Sequence, residues 1–363
     1  MRQAGWRVRA RRFGLLLACA ALGLVQPAAA QSPRYSAIVV DSASGNVLFD
    51  TNAEQERFPA SLTKLMTIYM LFEALRDRRV WLDELVPVSE HAASMEPSKV
   101  GLLPGMRVTV SEALLALVTK SANDAASALG ELMAGGSEDR FAQMMTLRAR
   151  ALGMTGTTFR NASGLPDPEE VTTARDMAIL ARHLIVDFPQ NYHYFSTPYF
   201  VFRGQTIFNH DRMLQTYPGA DGLKTGYTRA AGHNLLTSAM RGDVRLIGVV
   251  LGADSNPERD RNMAAMLDAG FERMGVAPQL ARAVPLAERL GVIAAAHAAP
   301  YEATRHPLAR GFHHRPTLIR PVIATTPPLP PHPLRRAVVH RVGHLHSPAD
   351  RANLMHPHDR LRG

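Results

Sequence analysis

Ser61 and Lys64 stand three residues apart in Phe58-Pro59-Ala60-Ser61-Leu62-Thr63-Lys64-Leu65-Met66-Thr67, and on a helix that spacing sets the amine beside the hydroxyl. A serine hydroxyl is a poor nucleophile until a base takes its proton. A lysine kept neutral by burial or by neighbouring positive charge is such a base. A second polar cluster is Lys120-Ser121-Ala122-Asn123-Asp124. A hydroxyl and an amide two residues apart cannot share one face of a regular helix, so the backbone must turn there if Ser121 and Asn123 serve one site. The third cluster is Asp221-Gly222-Leu223-Lys224-Thr225-Gly226-Tyr227-Thr228. On an edge strand, Lys224 and Thr225 offer a charge and a hydroxyl to a bound anion, and Gly226 lets a substrate backbone come close.

Each pattern alone is common, and lysine usage separates the first from chance. Of the 41 Lys+Arg residues only four are lysine, namely Lys64, Lys99, Lys120 and Lys224. Where a positive charge suffices, this chain uses arginine. Arginine cannot give up its proton in a protein and lysine can, which marks Lys64 for proton chemistry.

These residues need elements to hold them. Residues 34–41 and 47–50 are short apolar runs around Ser42-Ala43-Ser44-Gly45-Asn46, the pattern of a β-hairpin that leads into the Ser61 helix. Short strand-like pieces follow around 84–110, with Pro104-Gly105 as a turn and His91–Lys99 as a flexible loop bordering the site. Ser111 is expected to cap a helix with Glu112 in its first turn. Further helices are expected at 137–152 and 173–187, where the Thr173–Asp176 spacing is that of a capping box and gives Asp176 a structural role. Residues 199–208 read as strand. Residues 234–240 and 244–251 read as two strands joined at Arg241-Gly242-Asp243, and 257–274 as a helix with Met263, Met266, Leu267 and Phe271 inward.

At 363 residues with 46% hydrophobic content, the chain can bury a full core. Its formal charge of +9 sits at the ends: residues 1–30 carry five arginines and no acids, and 284–363 eleven arginines against four acids, leaving −3 for 31–283. A nucleic-acid partner is therefore excluded for the central part. Residues 1–30 read as an export signal, with five arginines before the apolar run 13–25 and a small-residue cleavage site at Ala28-Ala29-Ala30. Cleavage there places the protein in the periplasm or cell envelope and removes Cys19, the only cysteine. Residues 284–363 hold twelve of the 25 prolines and ten of the fifteen histidines, a composition that favours disorder over a packed fold. Such a basic tail is suited to anionic envelope polymers or lipid headgroups. No cofactor is expected and no metal site is assigned, because the tail histidines show no defined ligand spacing beyond His344-Leu345-His346.

Taken in order, Ser61-Leu62-Thr63-Lys64, Ser121-Ala122-Asn123 and Lys224-Thr225-Gly226 resemble the three motifs of penicilloyl-serine transferases. The flanks Pro59–Thr67, Ser121–Ala125, Thr173–Ala178 and Asp221–Thr228 narrow this, over roughly 34–275, to a chain similar to the low-molecular-mass D-alanyl-D-alanine carboxypeptidases. The resemblance implies an α/β (α+β) fold of the β-lactamase/transpeptidase type, with an antiparallel sheet flanked by helices and an all-helical subdomain. It further implies acyl transfer on peptidoglycan stem peptides and acylation by β-lactams. Ser61 would be the nucleophile, Lys64 the general base and Ser121 the proton relay to the leaving amine. Asn123 would hold the substrate amide, Lys224 tune the relay, and the N–H groups of Ser61 and Tyr227 form the oxyanion hole beside Gly226. Thr225 and an arginine, matched by spacing to Arg259 rather than the nearby Arg261, would bind the terminal carboxylate. The tail departs from the family: 284–363 is too rich in proline for a β-rich second domain and lacks an apolar helical face for membrane docking. Two other readings remain. A class A β-lactamase would need a deacylating glutamate followed by x-x-Leu-Asn, a context that Glu169 and Glu170 lack; a non-catalytic envelope-binding protein would act through its basic tail.

Overall fold

The computed structural model describes residues 32–277; the expected signal peptide (1–30) and tail (284–363) lie outside them. Five strands form one antiparallel sheet: β1 Ser36–Asp41, β2 Val47–Thr51, β7 Ala220–Thr228, β8 Gly232–Arg241 and β9 Val244–Ala253, in the order β2-β1-β9-β8-β7. The central strands are apolar on both faces. In β1, Ile38 and Val40 face one cluster of buried side chains while Ala37 and Val39 face another; in β9, Ile247, Val249 and Leu251 alternate in the same way with Leu246 and Val250. A sheet of this kind has to be covered on both sides. One cover is helix α8 (Asn256–Arg273), which follows the single-turn α7 (Met213–Thr216) in the chain and buries Met263, Leu267 and Phe271 at four-residue intervals, with Met266 only partly buried. Ser255 caps it by accepting from Glu258 N, and Pro257 occupies its first turn.

The other face carries the helical part: α1 Lys64–Arg76, α2 Glu90–Ser94, α3 Val110–Thr119, α4 Asn123–Met133, α5 Glu138–Ala151 and α6 Ala174–Asp187. Helix α1 is buried on every side from Lys64 to Ala74, so it runs through the core rather than over it. That position draws Lys64 inside with it. Among the described residues no helix is long and apolar enough to cross a membrane.

Local differences from the sequence reading have physical causes. The helix expected to start at Ser111 is capped by Thr109, whose Oγ1 accepts from Glu112 N (3.1 Å) while Glu112 Oε2 accepts from Thr109 N (2.8 Å), a complete capping box. Thr173 does cap α6, but Asp176 turns away to accept from Gly156 N and Thr157 Oγ1, so its role is structural without closing a box. Residues 199–208 form two strands, β5 Tyr199–Phe202 and β6 Gln205–Phe208, because Arg203 and Gly204 both take positive φ, as a two-residue hairpin turn requires. The first residues of the 91–99 loop are the short helix α2, which Ser89 caps. Strands β3 Leu85–Pro87 and β4 Arg107–Thr109 pair across the rest.

Candidate active site

Residues 60–63 make a single 3-10 turn before α1, with Ala60 at φ +48°. This turn presents Ser61 and is held from three sides. Asn234, fully buried in β8, donates Nδ2 to both the Phe58 and Pro59 carbonyls (3.0 Å each) and accepts from Gly252 N. Edge strand β7 lies against the turn at Gly226, where a Cβ would come within 3.2 Å of Ser61 N. On the third side, Gly164 at φ +78° packs on the Ala60 carbonyl so closely that a Cβ would sit 1.8 Å from its oxygen. Only glycine fits there.

Lys64 is 0% exposed. Its Nζ lies 3.1 Å from Ser61 Oγ, 2.6 Å from Asn123 Oδ1 and 2.5 Å from the Ser163 carbonyl. Burial, and then the positive charge of Lys224, hold the amine well below the usual lysine range. A neutral amine has two N–H groups and one lone pair. Asn123 and Ser163 can each accept one N–H, which leaves the lone pair for the Ser61 hydroxyl.

Ser121 and Asn123 lie between α3 and α4. Ser121 takes φ +62° and Ala122 an extended conformation, which is the turn that a hydroxyl and an amide two residues apart require. A non-glycine residue in that region costs roughly 1–2 kcal/mol, and the neighbouring 96–102 segment offsets it. Glu96 O accepts from Asn123 Nδ2, Ser98 O from Asn123 N, and Lys120 O from Ser98 Oγ, while the Asp124 carboxylate accepts from Val100 N, Gly101 N and Leu102 N. Ser121 Oγ is buried with no hydrogen-bond partner among the described residues. It is an unoccupied donor and acceptor that lines the same cleft as Ser61.

Lys224 on β7 is 1% exposed and donates to the Thr225 carbonyl (2.8 Å). Burial lowers it to about 7; Asp211 opposes that fall and Arg259 adds to it. Asp211 itself is pushed up to about 6 by burial, and one of its oxygens has no partner. His210 is lowered to about 4 by burial and then by Lys224 and Lys120.

A cleft of about 640 Å³ joins these parts. Ser61, Ser121, Asn123, Thr225, Gly226, Tyr227 and Arg259 all line it, and Lys64 meets it through Ser61. Lys224, buried next to Thr225, is not among the lining residues. Arg259 turns inward and is buried, paired with Asp260, whereas Arg261 is exposed and does not line the cleft. Tyr227 is exposed, its ring packed on His233 at 4.4 Å between centroids.

Several residues here escaped the sequence reading. Arg212 adds positive character to the cleft, and His210 and Asn256 line it. Ser163 acts through a backbone carbonyl, which no side-chain pattern reveals. Asn234 reads only as the start of a strand. Asp124 stands directly after Asn123, and an acid at a helix start was a legible signal for binding loop N–H groups. Glu170 accepts from Thr63 Oγ1 and Asn161 Nδ2, and burial pushes its carboxyl up to about 8. Among the described residues no group of three side chains is placed to hold a metal ion.

The sequence profile of the D-alanyl-D-alanine carboxypeptidase family matches residues 25–255. The chain is 37% identical over 253 residues to the D-alanyl-D-alanine carboxypeptidase DacF of Bacillus subtilis, covering 67% of this chain and 63% of that protein. It is 40% identical over 241 residues to DacC of Escherichia coli, covering 64% and 60%. The chain thus spans less than two thirds of the length of either curated relative. Among solved structures it is similar to penicillin-binding protein D2 of Listeria monocytogenes in its cefotaxime-bound form, with a TM-score of 0.60, 32% identity, and coverage of 65% of this chain and 96% of that one.

Proposed function

The chain belongs to the D-alanyl-D-alanine carboxypeptidase family, and we propose that it acts as an exported serine carboxypeptidase that removes the terminal D-alanine from peptidoglycan stem peptides. The observation that carries this reading is the fully buried Lys64 amine, 3.1 Å from Ser61 Oγ and held by two further acceptors. A binding protein has no use for a buried basic lysine beside a serine.

The reaction proceeds in two halves. Ser61 Oγ attacks the carbonyl between the two alanines while its proton passes to the Lys64 lone pair. Negative charge builds on the carbonyl oxygen, where the N–H groups of Ser61 and Tyr227 stabilise it. The carbon–nitrogen bond then breaks, and the leaving amine takes a proton through Ser121, whose hydroxyl is free of other partners and is tuned by protonated Lys224. Asn123 orients the substrate amide; Thr225 and Arg259 bind the terminal carboxylate, with Gly226 letting the peptide lie against β7. In the second half, water gives a proton to Lys64 as it attacks the Ser61 ester, and Lys64 returns that proton to Ser61 Oγ as the shortened peptide leaves. A β-lactam enters at the first half and leaves Ser61 acylated, in keeping with the cefotaxime-bound relative.

The arginine-rich, apolar start of the chain supports export, and the +7 charge of 284–363 supports attraction to anionic wall polymers. The test is mass spectrometry of a D-Ala-D-Ala pentapeptide incubated with the protein. Loss of one alanine, abolished by Ser61→Ala, is the expected result, together with a long-lived penicillin adduct on the peptide containing Ser61. Rapid penicillin turnover without peptide cleavage would overturn the proposal in favour of a lactamase.

A further inference from the structure

The carbonyl that holds Lys64 hangs on a short run of fixed backbone. Ser163 O accepts from the Lys64 amine at 2.5 Å. One peptide earlier, Ala162 O accepts from Thr67 Oγ1 (2.7 Å), one turn beyond Lys64 on α1. One peptide earlier again, Ala162 N donates to Glu138 Oε1 (2.8 Å). We infer that Glu138 is a positioning residue for acylation, fixing the Ser163 carbonyl and through it the direction of the Lys64 lone pair. The inference rests on the function proposed above and adds to it a residue that lies outside the cleft.

Glu138 is the first residue of α5 and is 7% exposed. Its second oxygen accepts from Ser127 Oγ on α4 (2.5 Å) and lies 2.8 Å from His91 Nε2 on α2. The carboxylate thereby joins α2, α4 and α5 to the loop that reaches Lys64. Packing brings α4 and α5 to the loop at the same point. Gly130 follows Ser127, and Phe141 follows Glu138, by one helical turn, and a Cβ on Gly130 would come within 2.8 Å of the Phe141 ring and 3.2 Å of Ala162 Cβ. Contact this close sets where Ala162 sits, and the Glu138 bond sets how its peptide is turned.

Glu138 is not needed to close its own helix, because Ser137 already caps α5 by accepting from Arg140 N. A buried carboxylate is costly unless donors satisfy it, and here one of those donors is the loop. What the loop must hold still is the amine. Neutral Lys64 aims its lone pair at Ser61 only while Asn123 Oδ1 and Ser163 O occupy its two N–H groups. Asn123 is fixed separately, by Glu96 O. Ser163 takes its position from the 161–163 backbone, which Asn161 Oδ1 braces from within by accepting from Ser163 N (3.0 Å) and Gly164 N (2.7 Å). Glu170 holds the Asn161 side chain, while Glu138 and Thr67 hold the backbone itself. Releasing Ala162 N frees the Ser163 carbonyl to shift and the amine to turn with it, and a misplacement of about 1 Å can cost a hundredfold in rate. The Glu138 charge also favours protonated Lys64, so reach and charge have to be separated.

Three substitutions make that separation. Glu138→Gln keeps an oxygen for Ala162 N and removes the charge, Glu138→Asp keeps the charge and falls one methylene short, and Glu138→Ala removes both. Stopped-flow acylation of Ser61 by a fluorescent penicillin gives the dissociation constant of the first complex and the acylation rate constant separately. Glu138→Ala is expected to lower the rate constant by about 30-fold while the dissociation constant stays within about threefold, since the residue touches no bound ligand. Glu138→Asp should resemble it, and Glu138→Gln should restore the rate constant to within about fivefold of the parent. A purely structural role would lower the melting temperature and the fraction of protein that reacts, but leave the rate constant of the folded molecules unchanged. Should Glu138→Ala not fold, the glutamine and aspartate variants make the same comparison between themselves. Alanine or aspartate variants within about threefold of the parent rate constant, or a glutamine variant as slow as they are, overturn the positioning role and leave the proposed function standing. No acylation of the unmodified protein overturns the proposed function, and the positioning role with it.

Discussion

Replacing Lys64 separates its two roles, as a base and as a buried hydrogen-bond donor. In Lys64→Arg the guanidinium stays charged at every accessible pH, so the site loses its proton acceptor and gains a charge that cannot neutralise itself in a fully buried position. In Lys64→Met the charge problem disappears, but Asn123 Oδ1 and the Ser163 carbonyl lose their donor. Leaving two buried acceptors unpaired costs about 1–3 kcal/mol each, offset in part by the relief of lysine desolvation. An uncompensated buried charge costs several kcal/mol. The expected order of stability is therefore Lys64 above Met above Arg, measurable by urea unfolding at pH 7. Acylation of Ser61 by a fluorescent penicillin should fall by about 10²–10⁴ in both variants, the usual contribution of a positioned base. The two should also share a loss of pH dependence. The unmodified protein should lose acylation rate about tenfold per unit as pH drops below the depressed value of Lys64, whereas a methionine has no proton to take and its residual rate should be flat across that range. Acylation by the arginine variant within tenfold of the parent, or an acid limb that persists in the methionine variant, would refute Lys64 as the base.

Three further outcomes follow from the same geometry. Lys224, lowered to about 7 by burial, should give the pH profile of kcat/KM an alkaline limb near pH 7, since the Ser121 relay loses the charge that tunes it; a plateau extending to pH 10 would contradict this. Glu170→Gln should change stability with a definite sign: the buried carboxyl, raised to about 8, contributes stability in its neutral form that is complete below the unfolded value near 4.5 and lost as pH rises through 8. The variant should therefore gain on the parent between pH 5 and pH 8.5, by an amount on the order of a few kcal/mol, and parallel unfolding curves at the two pH values would exclude the effect. Gly164→Ala should cost about 2–4 kcal/mol, or roughly 5–10 °C in Tm, because its Cβ would meet the Ala60 carbonyl; a Tm within 2 °C of the parent would be inconsistent with that contact.

The sequence carried the chemistry further than it carried the scaffold. Ser61 and Lys64 stood out by spacing and by the scarcity of lysine; Ser121, Asn123 and Thr225 entered through the order of three motifs that resembles the family, and the break at Ser121 followed from helix geometry once Ser121 and Asn123 were taken to share a site. The sheet strands were legible because β1 and β9 are short apolar runs bounded by turn residues. What could not be read was whatever acts through the backbone or through pairing at long range. Ser163 holds Lys64 with a carbonyl, and Asn234 fixes Phe58 and Pro59 from 175 residues or more away. The split of 199–208 into a hairpin hung on Arg203, a residue that seldom adopts positive φ, so composition gave no warning there. Which of Arg259 and Arg261 lines the cleft depends on the side of α8 that faces it, and Arg259 is on that side.

The strand order carries a consequence for synthesis. β1 lies between β2 and β9, so the earliest strand gains its second neighbour only from the latest. Until Val244–Ala253 has been made, β1 can pair only with β2, and Asn234 has no Gly252 to anchor against. Pairings that span two hundred residues form slowly, and a growing chain with an unpaired apolar edge is prone to aggregate. Ser61 is thus translated early, but the turn that presents it gains its full anchorage through Asn234 and Gly252 only when the final strand docks.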